Sequence, residues 1–160
     1  MSVAALSCLV VDDEPLAAER LAGMLGALPS CQVLGTAGNA AEAYGLIVSR
    51  HPDLVLLDIT MPGESGLELT QRLQALPHRP FVVFCTAYDA HALKAFEAQA
   101  VDYLLKPVRA ERLAESVERV RRLKAASAIA AAPSFVSASI GGVVRRIDLA
   151  DILYLQADDR

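Results

Sequence analysis

Apolar residues fall along this chain in short unbroken blocks separated by amphipathic stretches. "LSCLVV", "DLVLL", "PFVVFC" and "VDYLL" are continuous apolar runs of strand length, and "QVLGTA" is a weaker one. Runs of this kind read as strands buried on both faces. Between them the spacing changes to that of a helix. Pro15 sits where a helix can open, and Leu16, Ala17, Leu21, Met24, Leu25 and Leu28 keep helical spacing after it. "NAAEAYGLIVSR" places Asn39 and Glu42 as a capping box, and Ser65 and Glu68 repeat the pattern before "GLELTQRLQAL". "DAHALKAFEAQ" is a fourth helix, capped by Asp89. "RAERLAESVERVRRLKAA" is a long fifth one with Leu113, Val117, Val120 and Leu123 on one face.

Strand and helix alternating five times predict a parallel sheet covered by helices on both faces. Right-handed crossovers then give a doubly wound layout, with 2-1-3-4-5 the common order for five strands. Its switch point lies between strands one and three, and ligands bind there beyond the carboxyl ends of the strands.

After Lys124 the pattern stops. "AASAIAAAPS" is uncharged and mostly alanine, and it reads as helix tail plus linker. Beyond it, "FVSAS" and "VVRRI" flank Gly141 and Gly142 as a hairpin, and "ILYLQA" reads as another strand. The expected organisation is a domain over 1–124, a linker over 125–134, and a β-rich fragment over 135–160 that stops before it can enclose a core.

Composition narrows the class. The chain has 160 residues, 54% of them hydrophobic, and a net charge of −4. That suffices for one ordinary core and argues against a nucleic-acid surface covering the whole domain. Cys8, Cys31 and Cys85 match no zinc spacing and lie in or beside apolar segments, so they read as buried free thiols in a reducing compartment. No stretch is long and apolar enough to span a membrane, and "VAALSC" lacks the basic start of a secretory signal, so a cytoplasmic protein is expected. His51, His78 and His91 do not cluster in sequence and read as surface residues. "RVRRLK", 119–124, reads as a solvated helix end rather than a DNA contact.

The candidate chemistry lies at the strand ends. Asp12 and Asp13 follow strand one, Asp58 follows strand three, Thr86 closes strand four, and Lys106 follows strand five. All five converge at the carboxyl edge of the predicted sheet. Carboxylates this close repel unless a cation intervenes, and hard oxygens suit Mg²⁺. A lysine and a hydroxyl beside them suit a carboxylate that takes a phosphoryl group, which makes Asp58 the nucleophile candidate.

"LVVDDEP", "DLVLLDITMPGESGLEL", "VVFCTAYD" and "AVDYLLKPV" strongly resemble the receiver domain of bacterial two-component response regulators, over roughly residues 6–124. The resemblance implies a flavodoxin-like fold and phosphorylation of Asp58 by a sensor histidine kinase. It implies Mg²⁺ held by Asp13, Asp58 and the Thr60 carbonyl, with Asp12 acting through water. Lys106 pairs with the phosphoryl group, and Thr86 and Tyr103 form the switch pair. Tyr88 and Thr60 occupy positions that tune dephosphorylation, with loop packing as the alternative. The family also suggests a cis Lys106–Pro107 bond. Thr86 and Tyr103 flank the face built from the fourth helix, fifth strand and fifth helix, so phosphorylation is expected to favour a homodimer there. "IDLADILY", 147–154, resembles the start of a LytTR-type DNA-binding domain, which implies transcription regulation with DNA bound only by a full-length form.

On this reading the domain is not an enzyme in the ordinary sense, because it catalyses only its own phosphotransfer and dephosphorylation. Three alternatives remain open. A phosphorylation-independent interaction module would ignore small phosphodonors. A phosphatase with an aspartate nucleophile would carry a second aspartate where Thr60 stands. A dinucleotide-binding enzyme would carry a Gly-rich turn after strand one. Glu14 is read as a helix-start charge rather than a ligand.

Overall fold

The computed structural model describes residues 5–87 and 100–131, with side chains to 127. Five strands carry the fold: β1 (Leu6–Val11), β2 (Cys31–Ala37), β3 (Leu54–Leu57), β4 (Phe81–Thr86) and β5 (Asp102–Leu105). They form one sheet in the order β2-β1-β3-β4-β5, and every pairing is parallel. The described helices are α1 (Pro15–Gly26), α2 (Ala40–Arg50), α3 (Gly66–Leu73) and a C-terminal helix (Ala110–Ala131). The chain divides into two compact units, Met1–Val120 and Arg121–Arg160. The described part of the second is the distal portion of the C-terminal helix.

The continuous apolar strands have a direct packing cause. Successive side chains point to opposite faces, so a strand covered on both sides needs apolar residues throughout. In β1, Leu6, Cys8 and Val10 enter one core with Leu25, Leu104, Leu113, Val117 and Val120. Leu9 and Val11 enter the other, with Ile47, Leu69, Leu73 and Phe84. Each fully buried Leu or Phe contributes about 1.5–3 kcal/mol from removed apolar area. Between Cys8 and Leu9 the register with β2 slips by one residue, because Val33 pairs with Cys8 and Gly35 with Leu9.

The helix starts follow their predicted signals with two corrections. Pro15 opens α1, but Leu16 is 78% exposed, and Ala18 is buried with Leu21 and Leu25. The Asn39 side chain accepts from Glu42 N, yet Glu42 Oε1 accepts from Gly38 N, so the expected reciprocal bond lands one residue earlier. Ser65 and Glu68 form the full capping box. Cys8, Cys31 and Cys85 are buried, and none of the three is in a disulfide. Hydrogen bonding with Cys31 and burial push the Cys8 thiol up, and burial pushes Cys85 up to about 12, so neither is a thiolate at neutral pH. Among the described residues no helix is long and apolar enough to cross a membrane. The predicted helix at 89–99, Tyr88, His91 and the strands of 135–160 lie outside the described residues.

Candidate functional site

The loops leaving β1, β3 and β5 meet at the carboxyl edge of the sheet. The backbone nitrogen of Asp12 donates to Ala37 O at 3.0 Å, and that of Asp58 to Val11 O at 3.0 Å, which carries the ladder one residue past each strand. Asp12 and Asp58 are thereby buried, at 2% and 7% exposure, while Asp13 faces solvent. One ligand oxygen from each of Asp12, Asp13 and Asp58 lies within 4.8 Å of the others. Local bonds orient two of them: Glu14 N donates to Asp12 Oδ1 at 2.9 Å, and Thr60 N to Asp58 Oδ1 at 3.2 Å.

Lys106 reaches this group from the end of β5. Its backbone nitrogen donates to Thr86 O at 2.9 Å, and the Lys106–Pro107 bond is cis, as expected. Its Nζ lies 2.6 Å from Asp12 Oδ2 and 3.4 Å from Asp58 Oδ2. Burial pushes the Asp58 carboxyl up, and the charge of Asp12 adds to this; Lys106 and the Thr60 amide pull the other way without cancelling it. Burial works to lower Lys106, but the hydrogen bond to Asp12 and the charge of Asp58 outweigh it, and the ammonium is held above its ordinary range. Two buried carboxylates thus share one lysine. Hard oxygens at this separation fit a Mg²⁺ ion that keeps several waters.

Thr86 closes β4 fully buried, and among the described residues its Oγ1 is the buried side-chain polar atom with no partner. An orphaned buried hydroxyl costs about 1–3 kcal/mol, so the position suits a group able to accept its proton. Tyr103 sits in β5 with its ring packed against the Leu9 core. Thr60 is exposed, two residues after Asp58.

Two features escaped the sequence reading. Gly66 opens α3 hard against the strand end, and a Cβ there would overlap the Asp58 carbonyl oxygen. The signal was faint, a glycine after a cap residue. Asp102 in β5 is 4% exposed and accepts from Arg112 through both oxygens, at 3.0 and 2.9 Å, and from Ser116 Oγ at 2.7 Å. Its signal was clearer: a charge inside an apolar strand, with Arg112 and Ser116 one helical turn apart.

The family profile described as the response regulator receiver domain matches residues 8–118. The Positive alginate biosynthesis regulatory protein of Pseudomonas aeruginosa is 52% identical over 118 residues, covering 73% of this chain and 48% of that protein. The Sensory transduction protein LytT of Bacillus subtilis is 34% identical over 159 residues, covering 96% of this chain and 66% of that one. The crystal structure of the response regulatory domain of protein mrkE from Klebsiella pneumoniae superposes with a TM-score of 0.68 at 29% identity, covering 74% of this chain and 97% of that one. The chain thus spans about half the length of the alginate regulator.

Proposed function

Because this chain belongs to the response regulator receiver family, we propose that it is the phosphorylation-switched module of a two-component system, with Asp58 accepting the phosphoryl group from a sensor histidine kinase. One observation carries the reading: a buried carboxylate, Asp58, shares a lysine with Asp12 at the strand ends, and the hydroxyl of Thr86, whose carbonyl accepts from the backbone nitrogen of that lysine, lacks a partner among the described residues. Asp58 Oδ attacks phosphorus, the P–N bond to the kinase imidazole breaks, and the electron pair leaves with that nitrogen, which takes a proton. An aspartyl phosphate and a neutral histidine result. Lys106 stabilises charge on the transferring oxygens, and Thr86 Oγ1 donates to one of them. Asp13, Asp58 and the Thr60 carbonyl would hold Mg²⁺, with Asp12 acting through water; the ion supplies charge neutralisation between donor and carboxylates.

Thr86 and Tyr103 are the proposed switch pair, and Tyr103 lies on a strand that the C-terminal helix grips through Asp102. The proposed dimer face combines β5, that helix and residues 89–99. We assign 1–124 to the receiver, 125–134 to a linker and 135–160 to the opening of a LytTR-type output that binds DNA in a full-length form, in the cytoplasm. Intact mass after Mg²⁺ and acetyl phosphate tests the core of this. Wild type gains one phosphoryl group and Asp58→Asn none; stoichiometric labelling of the variant, or labelling in excess chelator, refutes it.

A further inference from the structure

At the amino ends of the strands, the pole opposite Asp58, two histidines meet. His51 ends α2 in the left-handed conformation, φ 51°, with its backbone nitrogen donating to Ile47 O at 2.9 Å. His78 lies in the loop between α3 and β4. β3 and β4 are neighbours, with Leu54 opposite Phe81, so the turns leading into them run side by side. Both histidines are exposed, and their ring centroids are 5.0 Å apart with planes at 63°.

The pair makes an edge-to-face ring contact, and the same separation also matches two rings on a shared metal. A zinc–nitrogen bond of about 2.1 Å sets the metal about 3.2 Å from each imidazole centroid, so two rings on one tetrahedral ion have centroids about 5.2 Å apart. The plane angle is unconstrained, because each ring need only contain its own metal–nitrogen axis. The adjacent guanidiniums are engaged elsewhere: Arg50 Nη1 donates to Leu34 O at 3.2 Å and Arg79 Nη1 to Gln74 Oε1 at 2.9 Å. We propose that His51 and His78 together form a surface chelate for a divalent transition-metal ion, zinc or copper, with water in the remaining positions. Imidazole selects such ions over Mg²⁺, which prefers oxygen, so this site and the acidic one take different metals.

The test is a calorimetric titration of the 160-residue chain with zinc chloride in excess Mg²⁺, which keeps the carboxylates occupied. It is run beside His51→Asn, His78→Ala and the control His91→Ala. Asparagine is chosen at 51 because it tolerates a positive φ. Wild type and the control should bind one zinc per chain. Each of the other variants should bind about tenfold to a hundredfold more weakly, because the second imidazole no longer acts at high effective concentration. Copper binds such ligands most tightly, and the paramagnetic spectrum of copper-loaded wild type should show two coupled imidazole nitrogens, reduced to one in either variant. Equal zinc affinity in wild type and both variants, or a single coupled nitrogen in wild type, overturns the proposal.

Discussion

Lys106 sits closer to Asp12 than to Asp58: its Nζ is 2.6 Å from Asp12 Oδ2 and 3.4 Å from Asp58 Oδ2. The proposed nucleophile therefore has the weaker hold on the lysine, and the less accessible carboxylate has the stronger. Lys106→Met removes the positive charge that, among the described residues, contacts both. Labelling of Asp58 by acetyl phosphate should slow by about a hundredfold, the scale of one lost charge-stabilising donor. A time course of intact mass at saturating Mg²⁺ reads this directly; an unchanged rate would remove Lys106 from the transfer step.

Asp58 itself should cost stability at neutral pH. Its carboxyl is held above the ordinary range, chiefly by burial. A group raised on folding favours the fold below its unfolded pKa and loses that contribution as pH rises through its folded pKa. Without Mg²⁺, Asp58→Asn should therefore unfold at higher urea than wild type at pH 7, and the gap should close under acid conditions where both carry a neutral side chain. A variant less stable than wild type at pH 7 contradicts this.

The Asp102 network should behave oppositely. Burial works to raise this carboxyl, but bonds from Arg112, Ser116 and the Tyr103 amide outweigh it and hold it below the ordinary range. Its contribution is present above the unfolded pKa and fades as pH falls through the folded pKa. Arg112→Ala should cost about 1–3 kcal/mol near neutrality. The figure lies under that for a fully buried pair because the Arg112 side chain is 40% exposed and Ser116 stays bonded. Urea titrations at neutral and acid pH should show the loss shrinking on acidification.

Gly66 and Gly45 should respond to alanine in opposite directions. A Cβ at Gly66 would overlap the Asp58 carbonyl oxygen, and backbone cannot yield as a flexible side chain does. Gly66→Ala should cost about 1–3 kcal/mol, the usual range for overpacking, and should slow Asp58 labelling by moving its strand end. Gly45, inside α2, meets nothing within 4 Å. Gly45→Ala should add about 0.5–1 kcal/mol through the helix backbone alone. Chemical denaturation of both variants checks the contrast.

The order of residues along the chain was enough to place the sheet and its acidic edge. Buried parallel strands must be apolar on both faces, so β1, β3 and β4 stand out as unbroken runs, and each chemistry-bearing residue sits at a countable position next to a strand end. The crossover rule then orders the strands, and strand order alone brings Asp12, Asp13, Asp58, Thr86 and Lys106 to one edge. Tertiary packing decided what depends on through-space distance. Leu16 keeps helical spacing yet points outward, because the helix phase is set by the sheet it lies on and Ala18 fits closer to that sheet. Asp102 looks misplaced in β5 until Arg112 and Ser116 come over it from a helix beginning eight residues later. His51 and His78 are unremarkable along the chain, and they face each other only because β3 and β4 are hydrogen-bonded neighbours. Pattern reports which face of an element is buried; which residues meet across elements depends on register and close packing, which no local stretch encodes.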